Sequence, residues 1–247
     1  RPRRDYRVAI KAIIFGAIGT LTETSELQRQ AFNAAFVEHD LDWHWDAKSY
    51  KAMVVCKAAS VGGATRIERY AADHDVNLSQ TQIAAIHDAK SRLFQAMMDR
   101  DGVPLNAGVD ALIEEARTRG LTTVFASTTS ISNIETMLLA ARPSLAGRFD
   151  LVLSGDDAAR PKPAPDIYLA ALERLGFDAS EVIAIEDSEP SLSAPLAAGI
   201  ATFAVPGALW RGAAFDGSSA VYSSLDGVGV DDLAASVGRE VVDPAHV

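Results

Sequence analysis

Several features of secreted, membrane and histidine-based metal proteins are missing from this sequence. It contains a single cysteine, Cys56, which cannot form a disulfide within the chain. No apolar run reaches the roughly 18 residues of a membrane-spanning helix, and the start at Arg1 to Arg4 is not followed by the apolar core of a secretory signal. The five histidines include no pair at the i,i+4 spacing of a helical metal site. We therefore expect a protein of the reducing cytoplasm.

Basic side chains are also scarce relative to acidic ones. The chain has 33 acidic residues and 23 lysines and arginines, which gives a formal net charge of -10. Such a charge repels phosphate backbones and anionic bilayers, so we expect no nucleic-acid or membrane partner. Hydrophobic residues make up 48% of the 247 residues and charged residues 23%, which is typical of a globular fold. A small anionic ligand would need a local basic pocket.

The order of the predicted elements indicates an α/β fold. Residues 8–15 are short, apolar and β-branched, which predicts a buried strand, and residues 16–20 predict a tight turn. From about residue 25 to residue 100 the pattern is helical, and Ser79 with Gln82 predicts a capping box within it. Helices and strands then alternate: helix 109–119, strand 122–126, helix 132–141, strand 151–153, helix 165–175, strand 182–185, helix 192–198 and strand 202–205.

This alternation is typical of a parallel sheet with right-handed helical crossovers. The first strand belongs to the same sheet, but about eighty helical residues separate it from the others. We therefore expect a Rossmann-like parallel sheet flanked by helices, formed by residues 1–21 and 103–247. Residues 22–102 are expected to form an inserted, mainly helical cap domain.

Polar residues follow the predicted strands at the edge where ligands bind to open parallel sheets. Hydroxyls, a lysine and a pair of carboxylates are therefore expected to share one rim of the sheet. In strand order, the segments are Gly16-Ala17-Ile18-Gly19-Thr20, Ser127-Thr128-Thr129, Arg160-Pro161-Lys162-Pro163 and Glu186-Asp187-Ser188.

These segments resemble the haloacid dehalogenase superfamily, over nearly the whole chain from about Lys11 to Leu225. FGAIGTLTET from Phe15 is similar to its first motif, KPAPDIYLAAL from Lys162 to its third, and VIAIEDSEPSLSAPLAAG from Val182 to its fourth. Within the helical insert, QRQAFNAAF, LDWHWD and GGATRI are most similar to the CbbY-type sugar-phosphate phosphatases.

The resemblance implies a Mg²⁺-dependent hydrolysis of phosphoric monoesters. An aspartate at the end of the first strand attacks phosphorus, and water hydrolyses the phosphoaspartate with help from a second aspartate two residues later. Lys162 and Ser127 would contact the phosphoryl oxygens, and Glu186 and Asp187 would supply part of an oxygen cage for Mg²⁺.

The resemblance also implies residues that contact the substrate, a small phosphorylated molecule that we expect to be a sugar phosphate. In the cap, Arg66 is available for a second phosphate. The implied contacts are Gly19, Thr20 and Thr128 in the core, and Gly63 and Arg66 in the cap.

Each of these positions also has a purely structural interpretation. Gly16 and Gly19 fit turn glycines, and Lys162 fits a solvated loop lysine. The segment from Gly62 to Arg66 fits a helix-breaking turn. Ser127 and Thr128 fit helix caps, Glu186 and Asp187 fit an acidic first helical turn, and Ser132 with Glu135 fits a capping box.

Two positions depart from the superfamily pattern. Gly16 occupies the nucleophile position and Ile18 the acid/base position. Loss of a nucleophile can cost on the order of a million-fold in rate. We therefore expect an inactive phosphatase scaffold, either a natural pseudoenzyme or an engineered form. The alternatives are a non-catalytic protein that binds a phosphorylated ligand and a hydrolase of dehalogenase or phosphonatase ancestry. Attack by Ser127 is disfavoured, because a hydroxyl that holds a phosphoryl oxygen is poorly placed for in-line attack.

Overall fold

The chain folds into two compact units in a computed structural model, which describes residues 8–16, 18–55 and 62–241. One unit comprises residues 1–23 and 103–247, and the other comprises residues 24–102. Ala17, in the predicted turn, and Cys56 lie outside the described residues.

The first unit contains a six-stranded parallel sheet. Its strands lie in the order β6, β4, β2, β7, β8 and β9, and two short parallel pairs, β1 with β10 and β3 with β5, accompany it. The predicted α/β fold is confirmed. The bounds are β1 Ala9–Ile10, β2 Ala12–Gly16, β3 Val103–Pro104, β4 Thr122–Ala126, β5 Ala141–Arg142, β6 Leu151–Leu153, β7 Val182–Glu186, β8 Ala201–Ala204, β9 Ala220–Val221 and β10 Glu240–Val241.

Helices cover both faces of the sheet because side chains alternate along each strand. Ile13 and Phe15 of β2 pack with α6, α7 and α10, whereas Ile14 packs on the opposite face with α8 and α9. Central strands of parallel sheets are buried on both sides in this way. The helices are α1 Ile18–Leu21, α2 Ser25–Glu38, α3 Ala47–Val55, α4 Gly63–Asp73, α5 Gln80–Asp101, α6 Val109–Thr118, α7 Ile131–Ala140, α8 Asp166–Leu175, α9 Glu189–Ala197 and α10 Val230–Ser236.

The second unit consists of helices α2 to α5. An aromatic cluster forms its interior, where Trp45 is fully buried and its ring lies 4.7 Å from those of Phe32 and Phe36. The predicted capping box of Ser79 and Gln82 opens α5 and is confirmed. Across the described ranges, no helix has both the length and the apolar character that are needed to cross a bilayer.

Three local predictions are wrong in detail. In place of the predicted turn at residues 16–20, Gly16 is the last residue of β2 and Ile18–Leu21 form the short helix α1. The helix-breaking turn predicted at residues 62–66 is limited to Gly62, the cap of α4, because the residues from Gly63 onward form the first turn of that helix. Ser132 does not cap α7. The helix begins one residue earlier, so Ser130 is the cap and its Oγ accepts a hydrogen bond from the N–H of Asn133 at 3.4 Å.

The position of this cap predicts different effects of two serine substitutions. Ser130→Ala should lower the free energy of unfolding by about 1 kcal/mol, because the first turn of α7 loses its side-chain acceptor. Ser132→Ala, inside that turn, should change it by less than about 0.5 kcal/mol. Urea unfolding of both variants measures the difference, and equal losses would contradict the assignment.

Candidate active site

The carboxyl ends of β4, β2 and β7 form the candidate site. Gly16 pairs in register with Ala126 of β4, and Phe15 pairs with Ile185 of β7, so the last residues of the three strands are neighbours. Ser127 follows β4 directly and is 7% exposed. The sheet therefore brings residues that are far apart in sequence to one edge.

Lys162 reaches this edge from the loop before α8. Its Nζ donates hydrogen bonds to the carbonyl oxygen of Ala126 at 3.1 Å, to Glu186 Oε1 at 2.7 Å and to the Tyr168 hydroxyl oxygen at 3.3 Å. The Lys162 side chain is 6% exposed and that of Glu186 is 0% exposed, so the two form a buried ion pair. Because an ammonium group has three N–H donors, all three are engaged within the protein.

Tyr168 completes this cluster from α8. Its hydroxyl donates a short hydrogen bond to the same Glu186 oxygen. Burial, followed by the charge of Glu186, raises the pKa of Tyr168 well above its usual value, so the hydroxyl keeps its proton. We refer to Lys162, Tyr168 and Glu186 as the strand-end cluster.

The side chains of this cluster closely approach Gly16. A Cβ atom at Gly16 would overlap Glu186 Oε1 and the Tyr168 hydroxyl, and one at Gly19 would overlap Asp187 Oδ2. Neither glycine has a positive φ. The turn-glycine interpretation is therefore wrong for Gly16, which lies in a strand and leaves space that other side chains fill.

Two carboxylate oxygens at the site lack hydrogen-bond partners. Glu186 Oε2 and Asp187 Oδ1 are buried and accept no hydrogen bond. Burial, and then the charge of Glu186, raises the pKa of Asp187 to about 7. Uncompensated buried carboxylate oxygens are unfavourable, and a cation is one kind of group that satisfies such an oxygen.

These two oxygens fit Mg²⁺, which is often bound by one or two carboxylates together with substrate phosphates. The fit is limited, because Glu186 Oε1 is occupied by Lys162 and Tyr168. In the parts of the chain that the structure describes, no three His, Cys, Asp or Glu residues form a metal-binding group. Gly16 contributes no side-chain oxygen.

The other predicted residues of the first unit differ in what they offer a ligand. Ser127 Oγ accepts a hydrogen bond from the N–H of Thr129 at 3.4 Å, and Thr128 is exposed. The Thr20 hydroxyl is fully buried without a hydrogen-bond partner. Ile18, at the acid/base position, packs against the hydrophobic core.

Gly63 and Arg66 belong to the second unit. The Arg66 guanidinium lies over the rings of Phe32 and Tyr50, 5.9 and 5.6 Å from their centroids. Burial lowers the pKa of Arg66. Gly63 faces His87, whose ring a Cβ atom at Gly63 would meet at 2.7 Å.

Sequence reasoning did not identify three of the polar residues found here. Tyr168 lies in the segment from Lys162 that resembles the third motif, and its mostly apolar side chain gave no signal of its hydrogen bond to Glu186. Glu23 Oε2 accepts a hydrogen bond from the N–H of Ala208 at 2.6 Å, a contact between distant parts of the sequence. Lys90 is 8% exposed within the second unit, and the only sequence signal is a lysine inside an amphipathic helix.

The parallel sheet carries a buried lysine and two carboxylates at the edge where open parallel sheets bind their ligands. The sequence matches the haloacid dehalogenase-like hydrolase family over residues 10–199, and the chain belongs to this family. It is 39% identical over 243 residues to the plasmid-encoded protein CbbY of Cupriavidus necator, covering 96% of this chain and 92% of that protein. Protein CbbY of Rhodobacter capsulatus is 35% identical over 204 residues, covering 82% of this chain and 88% of that protein.

Solved structures agree with this assignment. CbbY from Rhodobacter sphaeroides in complex with phosphate is 35% identical, with a TM-score of 0.81, covering 91% of this chain and 99% of that chain. A mutant of the same protein in complex with xylulose-(1,5)bisphosphate has the same identity, coverage and TM-score. The scaffold is therefore that of a CbbY-like phosphatase, and phosphatases of this family generally use Mg²⁺.

The packing around Gly16 predicts a cost for the smallest added side chain. Gly16→Ala should lower the free energy of unfolding by about 1 to 3 kcal/mol, because the added methyl overlaps the strand-end cluster. Gly207→Ala is the matched control, since its Cβ would meet Asp187 Oδ2 and Glu23 Oε2 at an ordinary 3.6 Å. Urea unfolding of both variants checks the prediction, and equal stability would contradict it.

Proposed function

We propose that this chain is a CbbY-like scaffold that binds a phosphorylated sugar without hydrolysing it. The observation that carries the proposal is Gly16, where the sequence provides no nucleophile and the strand-end cluster fills the adjacent space. Covalent phosphoryl transfer needs an attacking group at this strand end. The nearest carboxylate oxygen, Glu186 Oε1, already accepts hydrogen bonds from Lys162 and Tyr168.

The proton transfers of hydrolysis also lack a donor at the expected position. General acid catalysis protonates the leaving oxygen, and Ile18 has no proton to donate. Its side chain packs against the core instead. Both chemical steps therefore lack the side chain that would perform them.

The residues proposed to contact a phosphoryl group are Ser127, Thr128 and Lys162, with Gly19 and Thr20 in the preceding segment. Lys162 supplies the positive charge, but its donors are engaged in the strand-end cluster. An anion must therefore displace one of these contacts before Lys162 can bind it. Without a further cation, Glu186 and Asp187 would repel the anion, by up to about 4 kcal/mol for unit charges 4 Å apart.

Mg²⁺ is the cation that we propose for this site, held by Glu186 and Asp187 through their unpartnered oxygens. When bound, it supplies positive charge that stabilises the oxygens of a phosphoryl group. Since only two carboxylates are available, we expect weak affinity in the absence of phosphate.

The sugar-phosphate class rests on the relatives. CbbY of Rhodobacter sphaeroides was crystallised with xylulose-(1,5)bisphosphate, a sugar with two phosphate groups. We propose that Gly63 and Arg66 contribute to binding such a ligand, with Arg66 pairing with a second phosphate. The cytoplasmic location remains a prediction.

Absence of turnover is the first test. The protein should release no phosphate from xylulose-(1,5)bisphosphate above the level of a buffer blank, in the presence of Mg²⁺. Steady release that is lost on Lys162→Ala would contradict the proposal. Release that survives Lys162→Ala indicates a contaminating phosphatase, and the measurement is then repeated after further purification.

The double variant Gly16→Asp, Ile18→Asp restores the two carboxylates and serves as the positive comparison. We expect measurable release from it, limited by the need to displace Glu186 and Tyr168. The variant that also carries Tyr168→Phe should be more active, because it lacks one of the two overlapping atoms.

Mutual dependence of phosphate and Mg²⁺ binding is the second test. In calorimetry, Mg²⁺ should tighten the binding of inorganic phosphate by at least about tenfold, because it removes the repulsion from the acidic pair. Asp187→Asn should abolish most of this effect. Equal phosphate affinity with Mg²⁺ and with a chelator would contradict it.

A further inference from the structure

A cavity opens on the surface of the first unit beside α7. It has a volume of about 360 Å³, which is in the range of binding sites for small organic molecules. Leu138 and Leu145, two residues of the hydrophobic core, form part of its lining. Its nine lining residues in the described chain lie between Ile131 and Val152, so it is separate from the candidate active site.

Two large apolar side chains are exposed where they line this cavity. Leu139 is 62% exposed and Ile131 is 41% exposed, and both belong to α7. The described chain has six exposed large hydrophobic side chains, and no other two of them lie on one helix or strand. Covering these two would remove apolar surface from water, which favours a ligand with an apolar body.

A carboxylate lies on the same stripe of α7. Glu135 is about one helical turn from both Ile131 and Leu139, so all three line the cavity together. The sequence predicted that Glu135 closes a capping box with Ser132, but Ser130 caps the helix instead. Glu135 is exposed, and within the described ranges it takes part in no ion pair or hydrogen bond. Its charge is therefore available to a ligand.

The lining contains no basic residue that would balance this charge. Arg148 lies in the sequence between two lining residues, Gly147 and Phe149, but its guanidinium pairs with Asp110 and Glu114 of α6. Apart from Glu135, the lining residues of the described chain are apolar or glycine. The cavity thus presents one negative charge beside an apolar surface.

We propose that this cavity binds a small organic ammonium compound, whose apolar body covers Ile131 and Leu139 and whose charged nitrogen pairs with Glu135. An anionic ligand is disfavoured because its charge would be repelled by Glu135. A bare metal ion is disfavoured as well, because a single carboxylate in an apolar lining does not supply the several oxygen ligands that such an ion needs. The proposal does not depend on the proposed function of the strand-end site.

Three compounds of similar size and different charge test the proposal. Benzylammonium, benzyl alcohol and benzoate are each titrated into isotopically labelled protein, and the backbone amide shifts are followed by NMR. We expect saturable binding of benzylammonium with a dissociation constant of about 1 mM, as is usual for so small a ligand. Benzyl alcohol should bind at least about threefold more weakly, because it lacks the ion pair, and benzoate should bind most weakly.

The location of the shifts distinguishes this cavity from the acidic pair of the candidate active site. The largest changes should fall within residues 131–152. Shifts centred on Glu186 and Asp187 would mean that the ammonium group binds there and would overturn the proposal, as would equal affinities for the three compounds.

Two variants with matched controls separate the charge from the apolar contact. Glu135→Gln should remove the preference for benzylammonium over benzyl alcohol, whereas Glu173→Gln, at an exposed carboxylate of α8, should retain it. Leu139→Ser should weaken both compounds at least about threefold. Leu169→Ser, at a side chain of α8 that is 48% exposed, should leave their affinities unchanged. A preference that survives Glu135→Gln, or affinities unaffected by Leu139→Ser, would contradict the assignment.

Discussion

A single carboxylate oxygen, Glu186 Oε1, determines the arrangement of the candidate active site. It accepts hydrogen bonds from Lys162 and Tyr168 at a position fully removed from solvent. Breaking a buried ion pair by removing one partner costs about 3 to 5 kcal/mol, so these three side chains constrain one another. They also occupy the space beside Gly16 at the end of β2, which links the packing of the sheet to the missing nucleophile.

The net charge of the site also depends on the ion pair between Lys162 and Glu186. Lys162 neutralises Glu186, whereas Asp187 has no basic partner among the contacts described here and its pKa is raised to about 7. The site therefore holds more negative than positive charge when Asp187 is ionised, which is unfavourable for a phosphate group alone. In the proposed function, a cation held by the two unpartnered oxygens would reverse this balance.

Buried basic side chains have different surroundings in the second unit. Arg66 and Lys90 both lie over aromatic rings. Aromatic faces offset part of the cost of burying a cation, and the remainder lowers the pKa of both side chains. The two units thus contain two lysines in different surroundings, one paired with a buried carboxylate and one that lies over aromatic rings and has a lowered pKa.

The sequence determined the class of fold, because hydrophobic periodicity and the alternation of helices and strands are local signals. It also predicted that Lys162, Glu186 and Asp187 share the rim at the carboxyl ends of the strands, where Lys162 and Glu186 form an ion pair. Only the tertiary structure decided that Tyr168 joins them, since its hydroxyl meets Glu186 across the packing of α8 on the sheet. Likewise, the sequence predicted Ser132 as the cap of α7, whereas the structure has Ser130 in that role, because hydrophobic periodicity does not resolve the exact start of a helix. Burial of Lys90 arises from the packing of α2, α4 and α5 around Phe32, and no local pattern encodes it, because burial depends on which helices meet.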